Sequence, residues 1–177
     1  MKRSIRTSAL LFAFVFILSS CGGNADKSPA AGSVQETTAE PVQEESSAVQ
    51  PEISNSLTLE GNDQMQYDKT ELRVKAGQTI TLVFKHTGKM EKTAMGHNFV
   101  VLKQGTDLNA FAQKAMTAKD NDYIPKSESA SVIAHTKLIG GGESDTIEFT
   151  IPEKGSYDYI CSFPGHFSMM KGKLIVE

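Results

Sequence analysis

The chain has 177 residues, 39% hydrophobic and 22% charged, with 14 glycines, two cysteines and no tryptophan. That length allows one ordinary domain with tails and leaves little room for two. A formal charge of −3 offers no basic field for phosphates, which excludes a nucleic-acid binder, and two cysteines exclude a disulfide-stapled miniprotein.

The N-terminus carries Lys2, Arg3 and Arg6, followed by an apolar run from Ala9 to Leu18. That run is far short of the roughly 20 residues a membrane-spanning helix needs, so residues 1–20 read as an export signal. The run ends in Leu18-Ser19-Ser20-Cys21-Gly22-Gly23, which resembles the lipobox of bacterial lipoproteins. The resemblance implies cleavage before Cys21 and a diacylglycerol on its sulfur, with palmitate-like acyl chains as the anchor. Gly22 stands where some bacteria place an inner-membrane retention aspartate, which points to the outer membrane. The expected location is therefore the cell envelope, with the folded part in the periplasm or at the cell surface.

Residues 21–56 read as a disordered acidic tether. From Gly22 to Ser56 there is no aromatic residue, and six acidic residues face Lys27 alone. Such a segment buries too little apolar area to offset its ordering entropy, and as a flexible chain it spans roughly 30–35 Å. Residues 57–177 form the domain. There 14 basic residues meet 15 acidic ones, so most of the negative charge sits in the tether.

Alternation with period two dominates the domain. Strands are expected at Leu57–Gly61, around Leu72 and Val74, across Ile80, Leu82 and Phe84, and at Asn98–Leu102. Four more follow at Ser131–Thr136, Thr146–Ile151, Ser156–Cys161 and Gly172–Val176. Leu108, Phe111, Ala112, Ala115 and Met116 instead repeat at helical spacing, with Asp107 placed to cap them. Eight short strands with one inserted short α-helix predict an all-β Greek-key sandwich or barrel.

The chemistry concentrates in Cys161-Ser162-Phe163-Pro164-Gly165-His166-Phe167-Ser168-Met169-Met170. Cysteine, histidine and methionine lie in one turn between two strands, and Pro164-Gly165 bends the chain so its ends converge. His97 opens a strand far upstream, in Met95-Gly96-His97-Asn98. A thiolate, two imidazoles and a weak thioether are the ligand set of a type 1 copper site holding one ion. Zinc is the next candidate, but it favours a harder fourth ligand than methionine. Met170 shares strand parity with Leu174 and Val176 and Met169 does not, so Met170 is expected to face inward. Asn98 is expected to tie the two ligand-bearing segments by hydrogen bonds, and Phe163 and Pro164 to pack around the thiolate and exclude water.

With Gly61-Asn62-Asp63-Gln64-Met65-Gln66, Val132-Ile133-Ala134-His135-Thr136-Lys137 and Met170-Lys171-Gly172, this constellation is similar to the azurins. Their copper loop places four residues between cysteine and histidine and three between histidine and methionine. The lipobox and tether extend the similarity to lipid-modified azurins. The resemblance implies a cupredoxin fold, with His97, Cys161 and His166 as equatorial ligands, Met170 as one axial ligand and the Gly96 carbonyl as the other. It implies a surface or packing role for His86 and His135, and an apolar partner patch that includes Met95 and Met116.

Two departures stand out. Asn55 and Gln78 occupy the positions of a usual family disulfide, and Phe99 replaces a common core tryptophan. The implied function is a membrane-tethered one-electron carrier, a monomer meeting transient redox proteins such as c-type cytochromes or reductases. The alternative is a copper-binding or copper-delivery protein outside any redox circuit, which reversible redox behaviour distinguishes. An enzyme with a further copper centre is excluded, since four histidines with no His-x-His pair cannot build one.

Overall fold

The computed structural model describes residues 51–177. The expected export signal at 1–20, the expected acylation site Cys21 and the expected tether up to residue 50 lie outside the described residues. Nine strands occur among the described residues: β1 Ser56–Asn62, β2 Gln66–Tyr67, β3 Glu71–Val74, β4 Thr79–His86, β5 Val100–Leu102, β6 Val132–His135, β7 Ser144–Thr150, β8 Gly155–Ile160 and β9 Lys171–Val176. Eight match the alternating runs. The ninth, β2, has two residues and offers no period to read. Two helices, α1 Lys92–Met95 and α2 Leu108–Ala115, complete the set with short 3₁₀ turns at Lys119–Asn121 and Lys126–Ser131. The single turn of α1 was not expected from the sequence and is too short to carry a helical repeat.

The strands form two sheets, ordered β2-β1-β4-β7 and β3-β9-β8-β5-β6. Pairs β1–β4 and β3–β9 are parallel, and the rest are antiparallel. Parallel neighbours cannot be joined by a hairpin, so the chain crosses repeatedly between sheets, as a Greek-key sandwich requires. Alternation in β4 sends Ile80, Leu82, Phe84 and His86 inward, where they meet Leu59, Phe99, Tyr159 and Leu174. Each such apolar side chain contributes about 1.5–3 kcal/mol by leaving water.

β5 breaks the alternation because Val100, Val101 and Leu102 are all buried. Val101 faces the other sheet, while Val100 and Leu102 lie under α2 with Phe111, Ala115, Tyr123 and Ile124. The helix thus covers the outer face of this sheet. Its first turn is capped by Asp107, whose carboxylate accepts the N–H groups of Asn109 at 2.9 Å and Ala110 at 3.1 Å.

The domain begins earlier than Leu57. Ile53 bridges Arg73, Ser54 N–H donates to Arg73 O at 3.0 Å, and Thr81 N–H donates to Asn55 O at 2.8 Å. Backbone pairing therefore starts at Ile53, ahead of the boundary expected after residue 56, because composition registers polarity and not the pairing these residues make. Asn55 stands where the resemblance implies a disulfide cysteine. Its side chain accepts from Lys75 N–H at 2.9 Å and donates to the carbonyls of Lys75 and Thr79, both at 3.3 Å, closing the β3–β4 turn without a covalent bond.

Candidate metal centre

The sequence brings the site together at the end of the sandwich where β1, β4 and β8 terminate. In the loop after β8, Pro164 and Gly165 occupy the middle of a turn closed by His166 N–H donating to Phe163 O at 3.0 Å. Gly165 holds φ at +83°, the left-handed value that the third position of a type II turn demands. The loop is then folded back on itself, with Met170 N–H donating to His166 O at 2.8 Å and Cys161 N–H to Met170 O at 2.9 Å. These bonds hold cysteine, histidine and methionine around one point.

His97 reaches the same point from the opposite side. Its backbone exchanges two hydrogen bonds with Ile139, at 3.0 and 2.9 Å, and its Nε2 donates to Asn62 O at 2.8 Å. That bond sets the tautomer and leaves Nδ1 free. The ring stacks on His86 at 4.3 Å and 12°. A Cβ on Gly61 would lie 3.1 Å from the His97 ring, 3.2 Å from the Met170 methyl and 3.3 Å from Phe84, so Gly61 leaves the room these side chains occupy.

Three donor atoms face one another. His97 Nδ1 and His166 Nδ1 are 3.2 Å apart, and Cys161 Sγ is 4.0 Å from the first and 3.7 Å from the second. The point equidistant from all three lies about 2.1 Å from each, within the bond lengths of a first-row metal to nitrogen and sulfur. The three donor atoms therefore stand close enough to share one metal ion. The Gly96 carbonyl lies 4.0 Å from Cys161 Sγ, and Met170 is fully buried in the same core cluster as Cys161, whereas Met169 is 56% exposed.

The electrostatics suit a cation. Burial pushes the His166 imidazole down to about 4, aided by its neighbours His97 and His86, and burial also lowers His97. Both rings are neutral near pH 7 and present lone pairs. Burial pushes the Cys161 thiol up to about 12, against the opposing pull of the Asn98 and Phe163 backbone N–H groups. A buried thiolate is unfavourable here without a metal, so metal uptake must release the thiol proton.

The surrounding residues fall into place. Asn98 Nδ2 donates to Ser162 Oγ at 2.9 Å, and Ser162 N–H donates to Asn98 Oδ1 at 2.9 Å, which joins the His97 and Cys161 segments as the sequence suggested. Phe163 packs on His166 at 4.6 Å between ring centres, and Pro164 forms the turn beside it. His86 takes the packing role of the two expected for it: it is 1% exposed, its Nε2 donates to Met95 O at 2.9 Å, and its Nδ1 accepts from Gly88 N–H at 3.1 Å. Both nitrogens are occupied, so it supports His97 and offers no donor to a metal. The strand parity of Ile80, Leu82 and Phe84, extended by two, marks this burial. His135 is exposed. Among the described residues no other cluster of His, Cys, Asp and Glu side chains could hold a metal ion. A cleft of about 620 Å³ lies at the far end of β8 near Tyr157 and is lined by none of these ligands.

Comparison with known proteins agrees with this geometry. Residues 53–177 match the family of copper binding proteins described as plastocyanin/azurin. Azurin-1 of Alcaligenes xylosoxydans xylosoxydans is 46% identical over 123 residues, covering 67% of this chain and 95% of the relative. Outer membrane protein H.8 of Neisseria gonorrhoeae is 42% identical over 123 residues, covering 67% of this chain and 66% of the relative. Among solved structures, dithionite-reduced auracyanin from Roseiflexus castenholzii matches with a TM-score of 0.64 and 36% identity, covering 71% of this chain and 99% of that one. A buried sulfur–imidazole triangle, a cupredoxin sandwich and relatives of this identity lead to one assignment: the chain belongs to the azurins, within the plastocyanin/azurin family of copper-binding proteins.

Proposed function

We propose that this protein is a one-electron carrier tethered by lipid at Cys21 to the bacterial cell envelope. One copper ion would be held by His97, Cys161 and His166, with Met170 and the Gly96 carbonyl as weaker donors beside them. The observation that carries this reading is the buried triangle of one sulfur and two neutral imidazole nitrogens. Bound copper supplies the Cu(I)/Cu(II) couple, for which thiolate and thioether suit the reduced ion and imidazole suits both. The chain's part is to hold the donors still. Asn62 fixes one imidazole, the Phe163–His166 turn fixes the other, and Asn98 fixes the segments on which His97 and Cys161 sit. A site with so little slack costs little rearrangement when its charge changes.

His166 is 4% exposed and sits in a surface turn. Met116 at 58% exposure, Met169 at 56% and the half-buried Met95 are the apolar side chains we assign to contact with transient redox proteins, of which c-type cytochromes and reductases are the expected kinds. The near-neutral domain leaves contact on this face to apolar complementarity. The auracyanin relative, obtained in a dithionite-reduced form, supports a redox role over copper delivery. The relative named as an outer membrane protein, together with Leu18-Ser19-Ser20-Cys21, supports the envelope location and an outer-membrane anchor.

The copper-loaded protein is expected to be intensely blue, to bleach with ascorbate and to recover on reoxidation. Cys161→Ser is expected to abolish the colour, and a variant that stays blue would refute the ligand assignment. For the anchor, Cys21→Ala should move from the membrane fraction to the soluble fraction. A variant that still sediments with membranes overturns lipidation.

A further inference from the structure

Asp122 and Tyr123 are, among the described residues, the one consecutive pair of non-glycine residues with positive φ, at 51° and 60°. Left-handed backbone is unfavourable for both, because the Cβ approaches the carbonyl oxygen, and glycine would avoid the cost. The pair is pinned from several sides. Tyr123 N–H donates to Ala118 O at 3.0 Å, Ile124 N–H to Asn121 O at 2.8 Å, and Asn121 Nδ2 to Ile124 O at 2.7 Å. Ile124 is itself buried in the cluster under α2.

The turn reaches all three ligand-bearing segments. The Asp122 carbonyl accepts from Asn98 Nδ2 at 2.9 Å, and Asn98 follows His97 directly. Through its remaining bonds Asn98 holds Ser162, which follows Cys161. The Tyr123 ring, 8% exposed, meets Phe163 edge-on at 5.1 Å and 67°, and Phe163 lies 4.6 Å from the His166 ring. With two acceptor bonds from Ser162 and its two donor hydrogens shared between Ser162 and Asp122, the Asn98 amide is saturated, so it cannot pivot without breaking a bond.

We propose that the Asp122–Tyr123 turn is a positioning element for the copper site. Its carbonyl sets the Asn98 amide and its ring sets Phe163, and through them it fixes the spacing of the donor triangle. This rests on the copper reading above. The backbone strain persists because the reversed pair turns the carbonyl toward Asn98 while placing the ring against Phe163.

The full chain carrying Tyr123→Leu, Tyr123→Phe or Asp122→Gly tests this, with Tyr123→Met as an adaptable, ring-free filler should leucine prevent folding. Each is loaded with copper and followed by visible absorption, electron paramagnetic resonance and the rate of copper loss to a chelator, beside the melting temperature without metal. Tyr123→Leu is expected to shift the absorption and resonance signatures and to weaken copper retention about tenfold, as loss of a supporting contact does in other metal sites. Tyr123→Phe, which keeps the ring, should restore the parent signature. Asp122→Gly keeps the carbonyl and relieves strain, so its signature should match the parent. If the ring-free variants melt earlier but keep the parent spectrum and retention, Tyr123 only fills the core and the proposal fails. A displaced signature in Asp122→Gly overturns the role given to the backbone carbonyl. If the parent itself shows no copper-dependent band, the copper reading fails instead, so the two failures are distinguishable.

Discussion

The two ends of the sandwich are closed by different means. At the metal end His86, His97, Asn98, Ser162, His166 and Cys161 are all buried. No buried side-chain nitrogen or oxygen among the described residues lacks a partner. At the other end the β3–β4 turn is held by hydrogen bonds from Asn55, half-buried at the edge. Burying polar groups is unfavourable unless each is matched, and a matched buried network has few alternative arrangements. The metal end is therefore confined to few arrangements because its buried polar groups are matched. The other end needs only to be closed, and a disulfide or a hydrogen-bonded amide serves.

Five substitutions or conditions test this contrast. Asn98→Ala should have the largest effect, because it strands the Ser162 and Asp122 groups that Asn98 satisfies. A loss of about 3 kcal/mol or more in urea unfolding of the metal-free protein is expected, along with weaker copper retention. A loss under 1 kcal/mol would mean the network is not what holds this end.

Acid should act on the same end. His166 titrates near 4 in the folded state against an ordinary value of 6.5, so between these limits the unfolded chain binds the extra proton. Stability of the metal-free protein should therefore fall as pH drops from about 6.5 to about 4, by up to about 3 kcal/mol, and change little from this source below that. Melting temperature against pH, with His166→Gln as reference, measures it. A parent curve that parallels the glutamine variant would refute the assignment.

Gly96→Ala is next. Its Cβ would lie 2.5 Å from the Lys92 carbonyl oxygen and 2.9 Å from Leu138, so the backbone beside His97 must shift. A cost of about 1–3 kcal/mol with an altered copper spectrum is expected. An unchanged spectrum would show that the metal end tolerates backbone movement.

The smallest effect on the copper site belongs to substitutions at the other end. Asn55→Ala should cost about 1–2 kcal/mol and leave the copper spectrum unchanged. The pair Asn55→Cys with Gln78→Cys should gain about 2–4 kcal/mol under oxidising conditions, again with no spectral change. A spectral shift in either would show that the two ends communicate.

Much of this was legible in the residues. Alternation located eight strands, since a sheet with one buried face writes its geometry into every second residue. Parity separated Met170 from Met169 although the strand proper starts only at Lys171. Spacing and side-chain chemistry marked Cys161 and His166, and softness chose copper. Less was legible where pattern and structure part. β2 is too short for a period, and β5 reads as an unbroken apolar run because α2 covers its second face. Ile53 and Asn55 lie in a stretch whose polar composition hides their pairing with Arg73 and Thr81. His86 had a signal, the parity of β4, that outweighs any reading of an isolated histidine.

Side-chain chemistry and local periodicity are enough for the all-β class, the candidate donor residues and the inward face of the alternating strands. Only the tertiary structure decided how far apart those atoms stand, which nitrogen of His97 is free and what lies behind His97 and His166. Those depend on contacts across long separations: Asn62 on His97, Asp122 on Asn98, Tyr123 on Phe163. No local pattern encodes them, since packing brings the partners together only once both sheets and the helix have closed on a common core.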